Sequence, residues 1–179
     1  MIYYAISDPT TLDLSRVDRD IERFSQRATM LVYRDKKNKN YSKYAKLFIE
    51  TSRRYAFDKV LLHSDYRLAH TLKADGIHLT SNQTIDIKDA KSLGLFVVIS
   101  CHTIDDAKRA EFLGADMITY SPIFDTPNKG KPLGVDAISR LRDEIDIPII
   151  ALGGIIEQKE IDAVMSRGAS GFASIRYFG

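Results

Sequence analysis

Eight short apolar runs recur along the chain at near-regular intervals: "IYYAI" from Ile2, "MLVY" from Met30, "KVLLH" from Lys59, "GIHLT" from Gly76, "LFVVIS" from Leu95, "MITYS" from Met117, "PIIAL" from Pro148 and "GFASI" from Gly171. Stretches with helical spacing stand between them. Examples are "YSKYAKLFIETSRRY", "IDDAKRAEFLG" and "EQKEIDAVMSRG", the last two ending at Gly114 and Gly168 as helix C-caps often do. Apolar strands alternating with helices are the signature of repeated βα units and a parallel sheet, since parallel neighbours need a long crossover. Eight such units predict an α/β fold, a (β/α)₈ TIM barrel, with a doubly wound open sheet as the alternative. No linker or low-complexity tract breaks the pattern, so residues 1–179 read as one barrel domain.

The chain is short for that fold, 179 residues against the roughly 250 typical of such barrels. The barrel is therefore expected to be trimmed. Only a few residues follow the eighth run, so the final C-terminal helix is expected to be lacking. Either the tail "RYFG" or a partner subunit should then cover the apolar strip between the last and first strands, and a homo-oligomer is expected.

Composition narrows the partners. Hydrophobic residues at 44% and charged ones at 28% fit an ordinary globular protein, and no apolar run approaches a membrane span. The start "MIYYAISDPT" lacks a basic region followed by an apolar core, so nothing argues for export. A net charge of +2 is too small to imply nucleic acid. The dense basic cluster Arg34, Lys36, Lys37 and Lys39, followed by Tyr41 and Tyr44 alone as aromatics, reads as a solvated loop or a local anion site. One cysteine, Cys101, excludes an internal disulfide and a cysteine-based metal cluster, and suits the cytoplasm.

In a (β/α)₈ barrel the working groups sit at the C-terminal ends of the strands. In "VLLHSDYRLA" the third strand then hands over to His63, Ser64 and Asp65, which are expected to ring the mouth, although Asp65 reads better as the N-cap of the helix that follows. "ALGGIIEQ" brings Gly153 and Gly154 to the mouth, where backbone N–H groups can approach an anion, and "ASIRYFG" places Ser174, Ile175 and Arg176 beside them. Barrels frequently bind phosphate in the loops after strands seven and eight, and a guanidinium fits phosphate oxygens. The competing reading is a tight turn with a solvated arginine.

"SPIFDTPNKGKPLG", residues 121–134, is a long loop whose polar reach is Thr126, Asn128 and Lys129; a lid and a surface excursion are equally compatible with it. In "VVISCHT" strand alternation puts Ser100 and His102 on one face and Cys101 on the other, so Cys101 and His102 are not a nucleophile and base pair. His102 is the best general acid or base, His78 reads as a core histidine one layer down, and His70 as a surface group.

"ADGIHLT", "VVISCHTIDDAKRAEFLGAD", "SPIFDTPNKGKPLG", "IPIIALGGI" and "GASGFASI" together resemble the thiamine phosphate synthase and TenI family from about residue 59 onward. The first third matches more loosely, through "VYRDK" at residues 32–36. The resemblance implies a barrel handling the phosphorylated thiazole precursor of thiamine. Its phosphate would be held by Gly153, Gly154 and the Ser174–Arg176 segment, with Arg34, Lys36, His63, Ser100, Thr126, Asn128 and Lys129 binding the rest of the substrate. The synthases join that thiazole to a pyrimidine diphosphate with Mg²⁺. The TenI branch contains tautomerases that shift a proton and need no cofactor.

The synthase pattern departs at the metal and diphosphate positions. Its Gln-x-Arg-x-Lys motif reads Val32, Arg34 and Lys36 here; its Asn-Asp pair reads His63 and Ser64; its second aspartate reads Gln83. Only Asp65 remains as a metal ligand, and only if the chain is a synthase. Neither a serine nor a glutamine replaces the charge of a carboxylate toward Mg²⁺. The expectation is a TenI-like thiazole tautomerase using His102, with a thiamine phosphate synthase or a non-catalytic phosphate-ester-binding regulator as alternatives.

Overall fold

In the computed structural model, which describes residues 1–179, eight parallel strands close into a barrel in chain order, with the first paired to the last. The strands are β1 (Ile2–Ile6), β2 (Met30–Tyr33), β3 (Lys59–His63), β4 (Gly76–Leu79), β5 (Phe96–Cys101), β6 (Met117–Tyr120), β7 (Ile149–Leu152) and β8 (Gly171–Ser174). Each lies on one of the eight apolar runs. Pairing of Ala5 with Ser174 across β1 and β8 leaves no free edge, which excludes the open doubly wound sheet.

Seven helices follow the first seven strands: α1 (Val17–Ser25), α2 (Tyr41–Ser52), α3 (Tyr66–Thr71), α4 (Asp86–Ser92), α5 (Ile104–Phe112), α6 (Asp136–Arg142) and α7 (Gln158–Met165). Their brevity is how the barrel fits this chain. α3 has 6 residues and α4 and α6 have 7 each, about 10 Å of helix, enough to run back along a four-residue strand. α5 begins with a reciprocal capping box between Thr103 and Asp106, and α7 with one between Glu157 and Glu160. Gly114 and Gly168 take φ +96 and +92 after α5 and α7, the left-handed stop expected there.

Strand alternation divides the interior into two cores. Tyr4, Ile6, Val32, Leu61, Val98 and Ile150 point into the barrel, while a larger cluster of 41 buried residues fills the space between sheet and helices. Cys101 belongs to that outer core, and burial pushes its thiol up to about 12, so it is no partner for His102.

After β8 the chain makes a 3₁₀ turn, Arg176–Phe178, and folds onto the barrel wall. Phe178 is buried and stacks on Phe172 with 5.7 Å between ring centroids, while Tyr177 meets Phe172 edge-on at 5.0 Å. From the turn after α1, Arg27 lies 4.2 Å over the Tyr177 ring, and the guanidinium of Arg23 in α1 donates to the Phe178 carbonyl. Of the two covers expected for the strip beside β8, the chain's own tail is present. No helix is long and apolar enough to cross a membrane.

Candidate functional site

The C-terminal ends of the strands open onto a cavity of about 390 Å³, and a second of about 280 Å³ adjoins it beyond β7 and β8. Arg34, Lys36, His63, Ser100, His102, Thr126 and Lys129 all line the first. Gly154, Ser174 and Arg176 line the second, and Gly153, Ile175 and Thr126 belong to both. Asn128 lines neither; it sits at the exposed tip of the loop after β6 with φ 63.

On the β7–β8 side the backbone makes the site. Gly153 and Gly154 have φ +100 and +71, where side chains are disfavoured. Close packing reinforces the requirement: a Cβ on Gly153 would lie 2.9 Å from Pro122 Cα, and one on Gly154 2.6 Å from Phe124 Cβ. The base of the loop after β6 is therefore seated on the glycine pair, with Ile123 N–H donating to Leu152 O at 2.9 Å and Phe124 N–H to Gly153 O at 3.1 Å. The N–H groups of Gly153, Gly154, Ile155 and Ile175 donate to no protein acceptor. Ser174 works differently. Its hydroxyl donates to Ile155 O at 2.7 Å and accepts from Tyr177 N–H at 3.2 Å, so it ties the tail to the glycine loop. Arg176 is exposed and enters no ion pair; Asp8, across this cavity, is occupied by the N–H and hydroxyl of Thr10. Free N–H groups beside a guanidinium form an anion cradle.

His102 stands just past β5. Its Nδ1 lies 2.8 Å from the Ser121 carbonyl, which can only accept, so Nδ1 carries the hydrogen and the neutral ring keeps its lone pair on Nε2, with no protein partner. Asp106 holds the backbone beneath it, accepting from the N–H groups of His102 and Thr103 at 3.1 and 3.0 Å. A fixed imidazole with one nitrogen anchored and one free is arranged for proton transfer.

The β2–β4 side is cationic. The first cavity contains Arg34, Lys36 and Lys129 and no carboxylate among its lining residues. Burial first, then Arg34 and Lys129, lowers the Lys36 ammonium from its ordinary range. His63 is pushed down to about 4 by burial, Arg34 and Lys36, so its imidazole is neutral at physiological pH.

Of the three polar residues that end and follow β3, only His63 faces the main cavity. Ser64 turns at φ 69, an uncommon conformation outside glycine, costing on the order of 1 kcal/mol. Three partners hold it there: its N–H donates to His78 O at 3.0 Å, its carbonyl accepts from Gln83 Nε2 at 2.9 Å, and its hydroxyl is hydrogen-bonded to His63 Nδ1 at 2.8 Å. The turn sends Asp65 outward, where its carboxylate caps α3 by accepting from Leu68 N–H at 2.9 Å, the capping role the sequence favours. Gln83 bridges two loops. Its amide oxygen accepts from Thr80 N–H at 3.1 Å while its Nε2 donates to Ser64 O and to Asp86 at 3.0 Å. A carboxylate at position 83 could not make the last two bonds. These residues do not fit a divalent cation at the mouth, because the nearby carboxylates serve a helix cap and an amide clamp and none faces the cavity.

Beneath the mouth, His78 is nearly fully buried, as expected of a core histidine, between Tyr4 OH at 2.9 Å and Ser100 Oγ at 3.1 Å, and burial drives it down to about 3. His70 is exposed on α3. Sequence reasoning passed over Thr80, Ser81 and Asn82, which line the cavity beyond β4. Their signal is the one that exposed His63, polar residues directly after an apolar strand. The Ser121 carbonyl that orients His102 is backbone and leaves no such signal.

The chain is a closed parallel (β/α)₈ barrel whose mouth gathers unpaired cations and, beyond its last two strands, free backbone N–H groups, a set suited to an anion. A family model described as thiamine monophosphate synthase, TMP-TENI, matches residues 3–178, and the chain belongs to that family. A putative thiamine-phosphate synthase of Geobacter sulfurreducens is 35% identical over 123 residues, covering 65% of this chain and 57% of that relative. Putative thiamine-phosphate synthase 2 of Aquifex aeolicus is 33% identical over 156 residues, 85% of this chain and 82% of the relative. The chain thus spans little more than half the length of the first of these. The solved thiamine phosphate pyrophosphorylase of Pyrococcus furiosus superposes with TM-score 0.82 at 23% identity, over 97% of this chain and 85% of that one, a likeness of fold.

Proposed function

We propose that the protein acts in the cytoplasm on a phosphorylated thiazole of thiamine biosynthesis and moves a proton on it, as a TenI-like thiazole tautomerase. One observation carries the reading: the mouth joins a free imidazole nitrogen on His102 to an anion cradle while presenting no carboxylate to its main cavity. The cradle N–H groups and Arg176 would hold the phosphate, and Arg34, Lys36 and Lys129 any second anionic group. His102 Nε2 would take a proton from one position of the ring system and return it to another. Substrate and product then differ only in where that proton sits. General acid–base catalysis of this kind contributes on the order of 10²–10⁴ in rate.

The second reading is thiamine-phosphate synthase, the activity in the names of the curated relatives. It joins the pyrimidine of a pyrimidine diphosphate to the thiazole phosphate and releases diphosphate with the help of Mg²⁺, a group the residues at this rim do not fit. The deciding experiment supplies purified protein with both synthase substrates and Mg²⁺, and in parallel with carboxythiazole phosphate and a chelator. Proton exchange that is insensitive to chelation and lost in His102→Ala supports the tautomerase. Steady, multiple-turnover formation of thiamine phosphate establishes the synthase and overturns it.

A further inference from the structure

Tyr4, His78, Ser100 and Thr119 form a hydrogen-bonded chain from the barrel interior to the mouth, and its hydrogen positions follow from what each group can do. Tyr4 is 0% exposed among Ile6, Val32, Leu61, Val98 and Ile150, and its hydroxyl has one partner, His78 Nδ1, at 2.9 Å. Were Nδ1 the donor, the phenol would accept and its own hydrogen would be buried without an acceptor, the more costly arrangement. The phenol therefore donates, and burial, which raises its ionisation well above the ordinary range, keeps it protonated.

With Nδ1 accepting, the neutral His78 ring carries its hydrogen on Nε2, which lies 3.1 Å from Ser100 Oγ. The bond from Nε2 takes one lone pair of the serine oxygen and turns the serine hydrogen away from His78. The Thr119 hydroxyl stands farther off, 3.4 Å from Ser100 Oγ and 3.5 Å from His78 Nε2. Its own hydrogen is left for the cavity that Ser100 lines.

We infer that Tyr4 and His78 are positioning residues that turn the Ser100 hydroxyl to donate its hydrogen to the ligand. The mouth thereby favours a ligand with a lone pair at that point, a ring nitrogen or a carbonyl or carboxylate oxygen. The inference rests on the mouth being the ligand site, as proposed above, but the proton chain can be measured without any ligand.

The test labels the histidine rings of the full chain with ¹⁵N and reads the His78 tautomer at neutral pH from long-range proton–nitrogen correlations. The expected result is a protonated Nε2 and a bare Nδ1; a protonated Nδ1 overturns the inference. Binding of thiazole phosphate supplies the second arm. Ser100→Ala should weaken it by about tenfold, the worth of one hydrogen bond, and Tyr4→Phe severalfold in the wild type but not at all on the Ser100→Ala background. Equal weakening on both backgrounds indicates a merely structural tyrosine and also overturns it. Where Tyr4→Phe fails to fold, the wild-type tautomer decides. A protein that does not bind thiazole phosphate sinks the proposed function, while the tautomer still decides the proton chain.

Discussion

The two sides of the mouth are built by different means. Beyond β7 and β8 the chain offers main-chain N–H groups, a glycine pair in left-handed geometry and one guanidinium. Beyond β2, β3 and β4 it offers side chains, and most are bonded to one another: Ser64 to His63, Gln83 to Ser64 and Thr80, Asp65 to its own helix. A backbone cradle tolerates little change, because its φ angles and close contacts admit almost nothing but glycine. A rim of side chains can be rewritten without disturbing the barrel, and here carboxylate positions of the synthase pattern carry Ser64 and Gln83.

The largest effect expected from this contrast is in acid, and it belongs to the side-chain half, to His63 at the rim and His78 beneath it. His78 and His63 titrate near 3 and 4 in the fold, against an ordinary value near 6.5. The unfolded chain therefore binds protons first as pH falls. The stability these neutral rings contribute is whole above about pH 6.5 and drains between there and pH 3–4, at up to ~1.4 kcal/mol per pH unit for each ring. Urea midpoints measured from pH 7 to pH 4 should fall steeply, and His63→Asn should make the fall shallower. An unchanged slope in that variant would show that the fold does not depress the rim histidine.

Next comes the cradle. Gly154→Val combines a disfavoured φ with collision against Phe124 and Asp125, and is expected to cost about 2–4 kcal/mol. It should also abolish phosphate-ester binding; a variant of wild-type stability and affinity would mean that this loop is not the cradle. Arg176→Ala should leave stability unchanged and weaken a thiazole phosphate roughly 10- to 100-fold, as expected for a charged hydrogen bond. Its unphosphorylated alcohol should be little affected, and equal losses for the two would remove the phosphate from this side.

The smallest expected effect is the one that most sharpens the contrast. Asn caps helices about as well as Asp, so Asp65→Asn should shift stability by only a few tenths of a kcal/mol and leave turnover intact. Loss of a Mg²⁺-dependent activity in this variant would make the rim a metal site after all.

Much of this architecture was legible because it rests on local rules. The eight strands, the glycine stops after α5 and α7 and the cap at Asp65 each follow from a few neighbouring residues. The positions of Ser100 and His102 at the mouth follow from a strand end and its alternation, whereas Arg34 and Lys36 were marked by the family resemblance. Other features depend on contacts distant in sequence. Ser64 and Asp65 turn away from the main cavity because His78 and Gln83 hold Ser64 at positive φ, and nothing within "HSDYR" specifies that. Asn128 projects outward because the loop after β6 is anchored at its base on β7, a pairing invisible in the loop itself. The direction of the Ser100 hydrogen depends on Tyr4, four strands away through the barrel interior.

The β1–β8 ladder sets a timetable as well as a shape. Ile2 pairs with Gly171, so the barrel's first strand finds its second neighbour only when the barrel's eighth emerges from the ribosome. Until then one edge and the inner face of β1 have no permanent cover, and pairings of such long range are slow to form and exposed to aggregation. In this barrel the strand that is made first is sealed last.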